Sequence, residues 1–146
     1  MYAAPKPSIP YLLAYAFTLA SRRADAALRP HGLTVRQLGV LTQLQLEPEL
    51  TISELARQLG ISRQSLHEMV GELERGGHLR REAGASGRTR RLRLSPGTAR
   101  LLAAAEGPVR RAEAELLAGL NARDIETLRD LLQRLLAHAT DDEAWL

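Results

Sequence analysis

Along this chain apolar residues recur at spacings of three and four, broken by glycines, prolines and capping residues, a rhythm that predicts six helices. Residues 9–28 read as one long apolar-biased helix ending before Pro30, behind a loose arm, residues 1–10, that holds three prolines. His31-Gly32-Leu33 form a loop, Thr34 caps a helix over residues 35–46 with Leu38, Leu41 and Leu44 inward, and Glu47-Pro48-Glu49 closes it. Next comes the densest patterning. Thr51 with Glu54 makes a capping box; Leu55, Ala56 and Leu59 form a buried stripe, and Gly60 ends the helix at positive φ. Ser62 caps a second short helix with Leu66, Met69, Val70 and Leu73 on one face, stopped by Gly76-Gly77.

After that stop the period falls to two. Residues 78–83 and 89–94 read as strands around the tip 84–88, with Thr89, Arg91 and Arg93 on one face and Arg90, Leu92 and Leu94 on the other. Two short helices around a sharp turn, followed by a basic hairpin, make a winged helix-turn-helix. Ser95-Pro96 then opens a helix carrying Leu101, Leu102, Ala105 and Val109 to about residue 117, which Gly107-Pro108 should kink or weaken. Asn121 caps the last helix, where Ile125, Leu128, Leu132 and Leu135 form a stripe widened by Leu131 and Leu136. The predicted class is mainly α with a small β hairpin, a winged helix-turn-helix with N- and C-terminal dimerisation helices. Helices at both chain ends carry more apolar surface than one small winged helix covers, so they are expected to bury each other across a two-fold axis. An ordinary intramolecular pair of helices competes with that arrangement.

Composition narrows the chemistry. With 146 residues the chain fits a single domain, residues 1–146, divided into dimerisation helices at 9–30 and 96–140 and a DNA-binding lobe at 34–94. It has no cysteine, which excludes disulfides, thiolate metal sites, thiol catalysis and cysteine-based redox sensing. Aromatics are only 3%, too few for a stacking platform that reads single strands. Charge is unevenly placed: residues 79–94 hold six arginines against Glu82, and residues 112–146 hold eight acids against three arginines. A basic wing and an acidic tail suit a molecule with one face for a polyanion. The apolar run 11–20, preceded by Lys6, imitates a signal peptide. Two tyrosines interrupt it, Arg22-Arg23 follow it directly, and the helix continues to Pro30, so it reads as a dimer helix of a cytoplasmic protein.

The segments HGLTVRQLGVLTQL, TISELARQLGISRQSLHEMVGELERGGHLRR and RLRLSPGTARL, in that order, resemble the MarR family of bacterial transcriptional regulators over nearly the whole chain. The resemblance implies a homodimer on a pseudo-palindromic double-stranded operator, usually repressing, and released by a small, often phenolic or otherwise aromatic, effector. Three places depart from the family's pattern. Ser86 stands where an Asp commonly precedes the wing arginine, here Arg88; Glu68 occupies a position often basic; and the cysteine of peroxide-sensing members is missing.

With its apolar stripe inward, the second short helix turns Gln64, Glu68, Gly71 and Arg75 outward, and its first two turns should enter the major groove. Arg63, Gln64, Ser65, His67 and Glu68 are the candidate base readers, since Gln suits adenine, Arg guanine, and Glu accepts from cytosine N4. Ser62 and the backbone N–H groups at the helix start suit a phosphate. Arg88 is shaped to reach the minor groove, and Arg80 and Arg90 to contact phosphates. Tyr11, Tyr15 and His31 are candidates to line an effector cleft between the first and second helices and the helix after the wing, the family's effector position; core packing competes for each. The four histidines lack metal-ligand spacing, and no nucleophile or carboxylate pair is set for catalysis, so neither cofactor nor metal is expected. The alternative to a DNA-binding regulator is a winged-helix protein-interaction module without specific DNA binding.

Overall fold

The computed structural model describes residues 4–84 and 90–139. Helix α1, Ile9–Leu28, begins at Ser8, whose Oγ accepts from the Tyr11 N–H at 3.3 Å, and runs into a single 3-10 turn, Arg29–His31. Helices α2 (Val35–Leu46), α3 (Ile52–Leu59) and α4 (Arg63–Arg75) follow, then strands β1 (Leu79–Ala83) and β2 (Arg90–Leu94), and helices α5 (Thr98–Leu116) and α6 (Ala122–Ala139). The expected caps hold. Thr34 with Gln37 and Thr51 with Glu54 both form reciprocal capping boxes, and Ser62 Oγ accepts from the Ser65 N–H at 3.0 Å. Asn121 and Asp124 exchange side-chain to backbone bonds at the start of α6.

Helices α3 and α4 end the same way. Gly60 sits at φ 66°, while the Ile61 N–H donates to the Ala56 carbonyl at 3.0 Å and the Gly60 N–H to Arg57 at 3.1 Å. Gly77, at φ 78°, repeats this with His78 donating to Leu73 at 2.9 Å. Only a residue without Cβ takes these left-handed angles cheaply, so each glycine both stops its helix and sets the exit direction of the chain. The first aims α4 away from α3; the second turns the chain into the hairpin.

The core lies where α2, α3, α4, the base of the hairpin and α5 converge. Leu28, Val40, Leu41, Leu44, Leu55, Leu66, Val70, Leu73 and Leu92 are fully enclosed there, each side chain contributing roughly 1.5–3 kcal/mol by leaving water. Helix α2 buries Val40 where Leu38 was expected, and Leu38 is half-buried. Four neighbouring elements surround α2, so its buried surface is wider than the single stripe its spacing suggests. Helix α1 packs along α5, with Arg23 and Glu115 at 3.9 Å beside the contact. Asp25 reaches from α1 to accept the Val35 N–H at 2.7 Å, tying the start of α2 to the long helix.

Two boundaries differ from the sequence expectation. Helix α5 starts at Thr98 rather than Pro96: residues 95–97 make a turn closed by the Thr98 N–H on the Ser95 carbonyl at 3.0 Å. Buried Thr98 donates its hydroxyl to the His78 carbonyl at 2.8 Å, so this contact across the base of the wing decides where the helix begins. Strand β1 starts at Leu79, because the His78 N–H serves the α4 cap and only its carbonyl, which accepts from the Ser95 N–H at 3.0 Å, continues the ladder register. Helix α5 continues through Pro108 to Leu116 without interruption. No described helix is long and apolar enough to cross a membrane.

Candidate nucleic-acid interface

Helix α4 presents two chemically opposite faces. Leu66, Val70 and Leu73 are buried, whereas Arg63, Gln64, His67 and Glu68 are exposed on its first two turns and Ser65 is half-buried between them. Five of the sequence-predicted readers are therefore on one short stretch of helix. Ser62 is exposed beside them, but its hydroxyl is already engaged: besides capping the helix it donates to Ser65 Oγ at 2.9 Å. Glu72, one turn beyond Glu68, accepts from Gln37 Nε2 at 3.0 Å and so faces back toward α2. Glu68 is thus the carboxylate displayed with the readers.

A Cβ at Gly71 would meet only the flexible end of Arg75, at 3.3 Å from its Nη1, and the backbone there is ordinary helix. Gly71→Ala should accordingly raise stability by about 0.5–1 kcal/mol, read as a rise in urea midpoint. If a DNA backbone comes close at Gly71, the same variant loses affinity for DNA while gaining stability.

Beside α4 stands the two-stranded hairpin, antiparallel, with Leu79 opposite Leu94, Arg80 opposite Arg93 and Glu82 opposite Arg91. Leu79 and Leu92 anchor its base in the core. Its other face carries Arg80, Glu82, Arg91 and Arg93. Arg80 is largely exposed and gives Glu82 Oε1 two hydrogen bonds, at 2.8 and 3.1 Å. Arg93 donates to Glu82 at 3.3 Å, to Glu49 at 3.3 Å and to the Pro48 carbonyl at 3.1 Å, and Arg91 pairs with Glu49. The hydrogen bond from Arg80, helped by Arg93, holds the Glu82 carboxyl below the usual carboxylate range. That ion-pair contribution is complete above the ordinary glutamate pKa and is lost as pH falls through the lowered value. Arg90 opens β2 opposite Ala83, and Arg88 and Ser86 lie outside the described residues, as does Trp145.

A cleft of about 890 Å³ runs between α1, α5 and α6, walled by Leu12, Phe17, Val109, Leu116, Ile125 and Leu132 among others. Tyr15 lines it, with Glu113 and Arg129 as its charged groups. Tyr11 stacks on Tyr15 with ring centres 6.3 Å apart but stays outside the cleft. A smaller space of about 520 Å³ lies between α2 and α5, where Leu38, Thr42, Leu102 and Glu106 meet. His31, in the 3-10 turn, lines neither. Among the described residues no cluster of His, Asp or Glu is placed to hold a metal ion.

A family model described as the MarR family matches residues 31–92, from the loop before α2 to the middle of β2. The chain is also 32% identical over 126 residues to the HTH-type transcriptional repressor Rv2887 of Mycobacterium tuberculosis, covering 86% of this chain and 91% of that protein. The chain belongs to the MarR family. Among solved structures, a MarR-family regulator from Rhodococcus sp. RHA1 superposes with a TM-score of 0.80 at 25% identity, over 87% of this chain and 91% of that one. Rv2887 in complex with salicylic acid gives 0.72 at 31% identity, over 91% and 99% of the two chains. Rv2887 in complex with DNA gives 0.71 at 27% identity, over 90% and 99%.

Within this MarR-family lobe, reading the sequence missed Glu49 and Gln37. Glu49 reads locally as part of a loop that closes α2, and nothing at short range announces partners 42 and 44 residues away. Gln37 carries a usable signal, its place three residues after the capping Thr34, but its second bond to Glu72 depends on how α2 and α4 pack.

Proposed function

We propose that this protein is a homodimeric, sequence-specific regulator of transcription, most simply a repressor, that binds double-stranded DNA. The observation that carries the proposal is α4: a helix anchored by three buried apolar residues, with Arg63, Gln64, His67 and Glu68 free on its first two turns beside an arginine-rich hairpin. Residues 34–94 form the DNA-binding lobe, and the helices of 9–30 and 96–140 the dimerisation part. In this arrangement Gln64, Arg63, Ser65, His67 and Glu68 meet base edges; Ser62, Arg80 and Arg90 meet phosphates; and Arg88 enters the minor groove. The exposed apolar residues of α1 and α6 make the two-fold contact that spaces two α4 helices about one turn of DNA apart, ~34 Å.

Salicylic acid, bound by the relative Rv2887, supports a small aromatic effector here too. Tyr11, Tyr15 and His31 remain its proposed contacts, and Tyr15 is the one that lines a cleft. An effector works by preferring a lobe spacing that mismatches the operator. No catalytic step is proposed, and a regulator of the chromosome is assigned to the cytoplasm.

The test is a mobility shift on the DNA upstream of the protein's own coding region, across a salt series. A discrete complex is expected, protecting two symmetric half-sites. With 6–10 phosphate contacts its affinity should fall by roughly 10³–10⁵ between 50 and 200 mM salt. Arg88→Ala should weaken the complex and leave the dimer intact. A salt-insensitive complex, or none on any upstream fragment, points instead to a winged-helix protein-interaction module, the reading that the acidic Glu68 on α4 favours.

A further inference from the structure

A two-stranded hairpin standing alone is marginally stable, and its direction relative to α4 needs a cause. Leu79 and Leu92 hold one face at the base. On the other face Arg80 lies directly opposite Arg93, a like-charge pair that would open the ladder if left uncompensated. Two carboxylates resolve it. Glu82 joins Arg80 to Arg93 within the hairpin, while Glu49 arrives from the loop between α2 and α3 to hold both Arg91 and Arg93.

Arg93 is the centre of this network. Its Nη1 serves Glu49 Oε1 and the Pro48 carbonyl, its Nε serves Glu82 Oε2, and its side chain is only 29% exposed, against 61% for Arg80. Donors committed in this way are poorly placed to take a phosphate. The same bonds cross from β2 to a loop that leads straight into α3, the helix on which α4 packs.

We propose that Glu49 and Arg93 are positioning residues of the nucleic-acid interface: they latch the wing to the loop between α2 and α3 and set its angle to α4 without contacting DNA. The inference rests on the proposed DNA-binding function and adds residues that act behind its surface. Distance along the strand gives the latch its leverage. A swing of about 10° at Arg93 moves the Arg90 end of β2, three residues away at about 3.3 Å each, by about 2 Å. A displacement of that size separates a hydrogen bond from no bond.

The experiment has two readouts on the full-length dimer, wild type against Glu49→Gln, Arg93→Gln and Arg93→Lys. Amide hydrogen exchange without DNA tests the latch itself. Exchange in β1 and β2 should quicken by about 10-fold in all three variants while α1, α5 and α6 are unchanged. Lysine should fail to restore protection, because its compact ammonium lacks the planar fork whose Nε reaches Glu82 on β1 while Nη1 reaches the Pro48–Glu49 loop. Operator affinity across a salt series tests the function. Glu49→Gln removes a negative charge from a DNA-binding lobe, so charge alone predicts tighter binding; the latch predicts binding weaker by about 3- to 10-fold.

For both Glu49→Gln and Arg93→Gln the slope of log affinity against log salt should equal that of wild type, since no phosphate contact is lost. Tighter binding by Glu49→Gln would make that carboxylate a competitor of phosphate and overturn the proposal. A slope reduced by about one unit in Arg93→Gln would do the same, by making Arg93 a phosphate contact. Unchanged strand exchange removes the latch outright. If exchange responds as expected but wild type binds no DNA, the latch stands as a hairpin anchor and the DNA-binding reading fails by itself.

Discussion

Replacing Leu131 and Leu135 together by aspartate is expected to convert the dimer into folded monomers and to cut operator affinity by at least about 100-fold. Both leucines belong to α6, which has no fully buried residue among its eighteen, although Leu128, Leu131 and Leu135 follow one another at helical spacing with 38%, 51% and 42% of their surface exposed. Ile9, Leu12, Leu13 and Phe17 of α1 are exposed in the same way. So much apolar surface at both ends of one chain needs a partner, and a second copy supplies the same surfaces by symmetry. Each leucine recovered from water contributes roughly 1.5–3 kcal/mol, and a two-fold interface counts every one twice. Four buried carboxylates reverse the sign of that term.

The loss of DNA binding then follows from linkage. In a dimer, engagement of one half-site holds the other lobe near its own at millimolar effective concentration, an advantage of about 10²–10⁴ that a monomer lacks. Light scattering and a mobility shift on the same preparation decide the matter. A variant that stays dimeric would show that α6 turns another face to its partner, and a monomer with undiminished affinity would refute the paired-lobe geometry.

The other large effect is expected at Leu66. Leu66→Ala should destabilise the protein by about 3 kcal/mol, within the 2–5 kcal/mol range of such truncations, and lower its melting temperature by roughly 9 °C. Leu66 is completely enclosed on the inner face of α4, and Val70 and Leu73 continue the same buried face. The neighbouring residue makes the control. His67 is exposed on the same turn, so His67→Ala should leave the melting temperature within about 1–2 °C of wild type while weakening DNA binding. A His67 variant that melts early, or a Leu66 variant that does not, contradicts the division of α4 into an anchoring face and a reading face.

The split of α4 into a buried and an exposed face is legible in the sequence, because it rests on local physics. Caps at Thr34, Thr51, Ser62 and Asn121 are decided by a side chain and a backbone N–H at most three residues away. The stops at Gly60 and Gly77 depend on one residue's freedom at positive φ. Burial of Leu66, Val70 and Leu73 follows from the helical period once one face must point inward. The order of these signals was also sufficient to suggest the MarR family, to which the chain belongs.

Other features depended on which surfaces meet. Val40 is buried where Leu38 was expected, because α2 is enclosed by several elements and a single stripe no longer describes its environment. The start of α5 moved from Pro96 to Thr98, since the Thr98 hydroxyl finds the His78 carbonyl twenty residues back. Of Tyr11, Tyr15 and His31, Tyr15 alone lines the space enclosed by α1, α5 and α6, because where those helices leave a cleft depends on how they pack.

For the wing, sequence counted six arginines against one acid and so implied a strongly positive surface. Folding adds Glu49 from a distant loop and turns Arg91 and Arg93 from candidate surface charge into anchors. By itself the sequence determined which helices form, the caps and glycine stops that end most of them, and the buried face of α4, because those interactions act within a turn or two of the chain. Pairing of charges across the lobe and the walls of the cleft were decided only by tertiary structure. Coulombic pairs and packed surfaces depend on distance in space, and the two helices and the strand between Glu49 and Arg91 hide that distance from any local pattern.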